Sequence, residues 1–210
     1  MFDLFSSVFK VDGDGAVATM PTDSVARDPD IVALRALFAG MSFNRGLYRV
    51  LENSVAGTIQ RTVGHAFPAL AARIECFGVD WLGRVFSADS GRRIDGKSAV
   101  VMLEPGSGQA LEMPCHVTSF HDEEICECAD AALADGFFRK WLASGGASPM
   151  VSQCVGYKRP LFLGGADELH NLELTDLDVY WTLSSQMIAQ LSGVPTGTSV
   201  KISKSPDTLK

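Results

Sequence analysis

The stretch from Arg73 to Pro114 constrains this chain more than any other. "RIECF", "WLGRVFS", "SAVVMLEP" and "QALEMP" are short runs rich in Val, Ile, Phe and other apolar residues, separated by glycine-bearing breaks. Runs of that length and composition read as strands, and breaks this short join antiparallel neighbours. A Gly-Val-Asp turn (Gly78 to Asp80) is expected between the first pair, and a Gly106-Ser107-Gly108 turn between the last. The product is an antiparallel meander. Segments with helical periodicity lie on both sides of it, so the expected class is α+β: one domain in which helices pack on an antiparallel sheet.

Before the meander, Phe2, Phe5 and Phe9 are spaced to dock one face of a short helix. Asp28 followed by Pro29 marks a helix start, with Ile31, Leu34 and Phe38 as the inner stripe and Gly40 as the stop. Val55, Ile59, Val63 and Phe67 repeat at helical spacing up to Pro68. After the meander, "SFHDEEICECADAALADGFFRKWLASGG" reads as helix, with Ser119 and Asp122 as a capping box and Leu133, Phe137 and Trp141 on one face. Gly136 is the expected break, and Gly145-Gly146 closes the segment. "CVGYKRPLFL" reads as extended. Thr175 is the expected cap of a last helix with Leu177, Tyr180 or Trp181, Ser184, Ile188 and Leu191 inside, ending at Gly193-Val194-Pro195. The domain is therefore expected over 1–195, followed by a polar tail, 196–210.

Apolar residues make up 46% of the 210 and charged residues 20%, enough for a sizeable core. The N-terminus lacks the basic start and cleavage site of a signal peptide. No run reaches the roughly 18 apolar residues of a membrane span. Five cysteines with no framework spacing suit a reducing compartment. These features together point to a cytoplasmic protein with no membrane partner.

Charge distribution says more about partners. The net charge is −7; between Lys97 and Arg139 stand eight Asp or Glu and no Lys or Arg, and between Arg159 and Lys201 five and none. Direct nucleic-acid binding needs a basic footprint, which such stretches lack. They suit a basic protein partner, because complementary potentials speed encounter and help select it.

Candidate sites divide along the same lines. "DGDG" (Asp12 to Gly15) fails as a calcium loop, since Ala16 and Val17 occupy the fifth and sixth positions; a turn is the better reading. Cys115, His116, His121, Cys126 and Cys128 are zinc-type residues without paired ligand spacing, and Cys126 and Cys128 on a helix would point about 200° apart. His121 before Asp122, Glu123 and Glu124 could suggest acid–base chemistry, but a polar helix start explains the same residues. Gly164-Gly165 could be a phosphate cradle, yet Asp167 and Glu168 follow at once and would repel an anion. It reads better as a turn that presents an acidic loop. No catalytic, cofactor or metal residues are assigned.

Several passages resemble a known family in order along nearly the whole chain, from Phe2 to Leu191: "SFNRGLYRV", "FPALAARIECFGVDWLGRVFSAD", "VVMLEPGSGQALEMP", "FHDEEICECADAALADGFF" and "CVGYKRPLFLGGADELHNLELTDLDVYW". They are similar to the domain of immunity proteins that neutralise type VI secretion DNase effectors (the DUF1851 family), and more distantly to the SMI1/KNR4-like immunity proteins. The resemblance implies a bacterial cytoplasmic antitoxin whose partner is a basic effector nuclease. It brings no catalytic residues; Trp81, Gly83, Arg84, Gly164, Gly165 and Asn171 match its pattern as scaffold. The expected partner contacts are Asp122, Glu123, Glu124 and Glu127 in one patch and Asp167, Glu168, Glu173 and Asp176 in the other, with Tyr157 and Leu169 as apolar anchors. The alternatives are a regulatory scaffold for another basic protein and a Cys/His metalloprotein.

Overall fold

The computed structural model describes residues 1–13 and 26–191. In chain order the elements are helices α1 (Asp3–Val8) and α2 (Pro29–Phe38), strands β1 (Ser42–Phe43) and β2 (Tyr48–Val50), and helix α3 (Asn53–Ala66). Then come β3 (Ile74–Asp80), β4 (Val85–Ile94), β5 (Lys97–Glu104) and β6 (Gln109–His116). A broken helical segment follows: α4 (Val117–Ser119), a π turn (Phe120–Glu124), α5 (Ile125–Glu127), α6 (Ala129–Leu133) and α7 (Asp135–Ala143). The chain closes with β7 (Gln153–Tyr157), 3-10 turns at Leu161–Leu163 and Leu169–Asn171, β8 (Leu172–Asp176) and α8 (Leu177–Leu191).

Strands β1 to β6 form one antiparallel sheet in sequence order, the expected meander, and β7 and β8 form a separate antiparallel hairpin. Alternation along the strands serves two cores. Phe86, Val100 and Met102 join Phe2, Phe5, Phe9, Ile31, Leu34, Phe120, Leu133 and Phe138 on one face. Val85, Val101 and Leu103 join Ile59, Val63, Leu177 and Trp181 on the other, where α3 packs against α8. Helices thus cover both faces, which is why the central strands are buried on both sides. A single α+β domain is what the structure shows, and its helix α2 starts as expected, with Asp28 accepting the N–H of Asp30 ahead of Pro29.

Four local expectations are corrected. Gly78-Val79-Asp80 is strand, and the turn lies at Trp81 to Gly83. A bulge at Phe77 brings Gly78 against Tyr48, whose hydroxyl a Cβ would overlap; the glycine marks close approach rather than a turn. The capping box belongs to His116 and Ser119, not Ser119 and Asp122. The long helix breaks at Cys128 and at Ala134 (φ 53), not at Gly136. Thr175 lies in β8 opposite Cys154, and Asp176 caps α8 by accepting the N–H groups of Asp178 and Val179. The second half of "DGDG", the Gly193–Pro195 stop and the tail lie outside the described residues.

The β3–β4 turn is the internal anchor of the fold. Asp80, fully buried, accepts from the N–H of Leu82 and of Arg84 and pairs with the Arg84 guanidinium at 2.6 Å. Trp81 donates its ring N–H to Leu133 O, and Trp181 donates to Gly83 O. Those two indoles tie the turn to helices on opposite faces.

Candidate functional site

The first acidic patch is built by the π turn. Its extra residue per turn carries both Phe120 and His121 into the core. His121 is enclosed by the rings of Phe2, Phe5, Tyr48, Phe77 and Phe120, with centroids 5.1 to 5.6 Å away. Its Nδ1 lies 2.7 Å from Val117 O, and a carbonyl only accepts, so Nδ1 carries the proton. Nε2 is then the acceptor for the Tyr48 hydroxyl at 3.0 Å. Both nitrogens are committed inside the protein, which leaves His121 no lone pair for a metal and no proton for catalysis.

Burial holds the His121 pKa down to about 4. The unfolded chain takes the proton below about pH 6.5, where the folded chain does not until about 4. Unfolding free energy should therefore fall by about 3 kcal/mol as pH drops through that window, at about 1.36 kcal/mol per pH unit. Urea midpoints measured from pH 7 to 4.5 on the wild type and on His121→Gln check this. Parallel curves for the two proteins would refute it.

Within this patch the acids have different uses. Asp122 is half-buried and accepts the N–H of Phe2 (2.8 Å) and of Phe5 (3.2 Å), so it caps α1 across 117 to 120 positions of sequence. Glu124 is half-buried; Glu123 and Glu127 are exposed. Cys126 donates to His121 O, while Cys115 is buried and Cys128 exposed.

The second patch is a loop fastened at many points. After β7, Leu161 N–H donates to Gly106 O, linking the loop to the β5–β6 turn. The N–H groups of Gly164 and Gly165 donate to Leu161 O and Pro160 O. They are spent on the loop itself, so there is no phosphate cradle here. Gly164 has φ 78, and a Cβ on Gly165 would collide with Arg159 O. The Asn171 side chain closes the loop: its Oδ1 accepts Arg159 N–H at 3.0 Å, and its Nδ2 donates to Arg159 O and Ala166 O. Tyr157 donates its hydroxyl to Asp167 at 2.6 Å.

Tyr157, expected as an anchor for a partner, is thus turned inward: it is 7% exposed and holds the loop in place. Asp167 is exposed but engaged by it, and Leu169 is half-buried against the core. Glu168, Glu173 and Asp176 are exposed. No hydrogen bond or ion pair among the described residues joins the two patches. Trp81, Gly83, Arg84, Gly164, Gly165 and Asn171 all sit at the anchoring contacts described above.

Sequence reading missed strand β8, although Leu172-Glu173-Leu174-Thr175 alternates with period two and could have signalled it. It also missed the Asp122 clamp, which no local pattern signals.

Residues 135–188 match the family described as T6SS immunity protein Tdi1, C-terminal. That stretch contains α7, β7, the fastened loop, β8 and most of α8. The match supports a type VI secretion immunity protein family. The fold is similar to that in the crystal structure of Atu4351 from Agrobacterium tumefaciens, with a TM-score of 0.55 and 13% identity over 89% of this chain and 89% of that one. No curated protein matches the chain. No helix among the described residues is long and apolar enough to cross a membrane.

Proposed function

We propose that this protein is a non-catalytic immunity protein that binds and inhibits a cognate type VI secretion effector, a DNase, in the cytoplasm. The observation that carries the reading is that the stretch matching the immunity family, 135–188, includes the fastened acidic loop and its hairpin. Carboxylates held on a rigid loop bind at lower entropic cost than carboxylates on a flexible one. A DNase must be basic where it grips phosphates, and Glu168, Glu173 and Asp176 complement such a surface. Glu123 and Glu127 form the second charged face. Asp122, Asp167 and Tyr157 hold these surfaces in place, and Leu169 lies beside the loop as its apolar component.

The test starts from the effector encoded by the neighbouring gene, co-expressed and co-purified with this protein, with plasmid DNA cleavage as the readout. The charge reversal has to avoid Asp167, which the fold uses. Glu168→Lys with Glu173→Lys should slow association about tenfold and flatten its salt dependence, with thermal stability unchanged. Unchanged rate and salt slope would remove the acidic loop from the account. Absence of any complex, or uninhibited cleavage in its presence, would remove the immunity reading itself.

A further inference from the structure

The β7–β8 hairpin leaves one strand edge open. The bonds Lys158 N–H to Asn171 O and Leu177 N–H to Ser152 O bracket the ladder, and pairing runs Gly156 with Glu173 and Val155 with Leu174. Hydrogen-bonded and non-bonded pairs alternate in an antiparallel ladder. Residues 173 and 175 therefore bond inward to β7, while the N–H and C=O groups of Leu174 and the N–H of Asp176 point away from it. The opposite side of β7 is occupied: Val155 N–H donates to Trp81 O, and Tyr157 N–H donates to the Tyr180 hydroxyl. Among the described residues, neither the Leu174 nor the Asp176 N–H has an acceptor. Native proteins usually protect such an edge with lysine, proline or a covering element. Here its flanks carry Glu173 and Asp176, and its own apolar side chain, Leu174, is 36% exposed.

We propose that this edge is where the partner docks, by adding an extended basic segment as a third strand to the hairpin. The inference rests on the effector-binding reading above and names the contact it uses. Main-chain hydrogen bonds supply affinity in strand addition, and alternate side chains supply specificity. A residue opposite Leu174 shares its face and is apolar; the residues on either side of it share the face of Glu173 and are Lys or Arg. Charge selects the occupant, since no Lys or Arg stands between Arg159 and Lys201 while five carboxylates do. A second copy of this acidic chain would be repelled there.

Leu174→Pro tests the edge without touching the hairpin. Its N–H makes no bond to β7, so proline removes an outward donor and places a ring where an added strand would lie. Leu174→Thr keeps the donor. Hydrogen exchange in the free wild-type protein should be fast at Leu174 and Asp176 and slow at Gly156 and Glu173. Slow exchange at the first two in the free protein would mean that the edge is already covered, and would overturn the proposal.

With the neighbouring-gene effector as probe, Leu174→Pro should weaken binding at least thirtyfold and Leu174→Thr less than threefold. Binding of Leu174→Pro within threefold of wild type overturns the edge and leaves the immunity reading standing. If Gly156 loses protection in the proline variant, the wild-type protein decides through protection of the Leu174 and Asp176 amides by the effector. If wild type does not bind the effector, the immunity reading fails, and the peptide acetyl-Lys-Val-Lys-Val-Lys-Val-Lys-amide decides the edge alone. Slowed exchange at both amides, lost when the central valine is N-methylated, supports it; no slowing overturns it.

Discussion

Replacing Arg49 with methionine should cost about 4 kcal/mol or more and lower the urea midpoint accordingly. Arg49 is 2% exposed. Its Nη1 donates to Met150 O at 2.7 Å, to Val151 O at 3.3 Å and to Gln153 O, and its Nη2 donates to Asp80 O at 2.9 Å. One guanidinium thus supplies donors for four main-chain carbonyls. Methionine fills much of the same volume but leaves Val151 O and Gln153 O without a donor, while Met150 O keeps only the Gln153 N–H and Asp80 O only the Gly83 N–H. An unsatisfied buried acceptor costs about 1–3 kcal/mol. Segment 150–153 leads directly into β7, so its amides should lose exchange protection first. Lysine keeps the charge but not the fork and should recover less than half of the loss. A methionine variant within about 1 kcal/mol of wild type would show that the carbonyls find other donors.

The second large effect is expected at Gly165. A Cβ there would overlap Arg159 O and lie 2.8 Å from both the Arg159 carbonyl carbon and Asn171 Nδ2. Two of the three obstacles are backbone, so the loop has to move as a unit, and the three Asn171 bonds break with it. The loss should be about 3 kcal/mol, in line with breaking a buried hydrogen-bond cluster, and effector binding should fall about a hundredfold because the carboxylates lose their common frame. Gly57→Ala is the control. It lies in α3 with nothing nearer than Arg61 Nη1 at 3.9 Å, so alanine should be neutral or stabilise by up to about 1 kcal/mol. Calorimetry together with effector binding reads both variants. A Gly165→Ala protein as stable as wild type would refute the packing argument.

The difference between these two glycines bears on what could be read in advance. The strands of the meander are short apolar runs between glycine-bearing breaks, α2 carries its Asp28 cap and α3 a stripe at helical spacing, so these elements were legible. Gly78 and Gly136 were misread because a glycine marks either a turn or a close approach, and only the neighbour decides which. Tyr48 and the side chain of Asp130 are those neighbours, and neither is adjacent in sequence. The acidic character of the loop was legible from composition. Its rigidity was not, because it depends on Asn171 and Tyr157 meeting groups 10 to 12 residues away. The open edge of β8 was hidden behind its carboxylates, which make a strand look like a loop.

The clamp at Asp122 bears on how the chain is made. A ribosome delivers Phe2 and Phe5 well before Asp122, since the carboxylate that receives their amides is synthesised more than a hundred residues later. Until it emerges, α1 lacks its cap, and the aromatic cluster it completes around His121 stays open to water. The phenylalanines of α1 therefore stay exposed on a nascent chain until Asp122 emerges, an interval in which a chaperone can hold them.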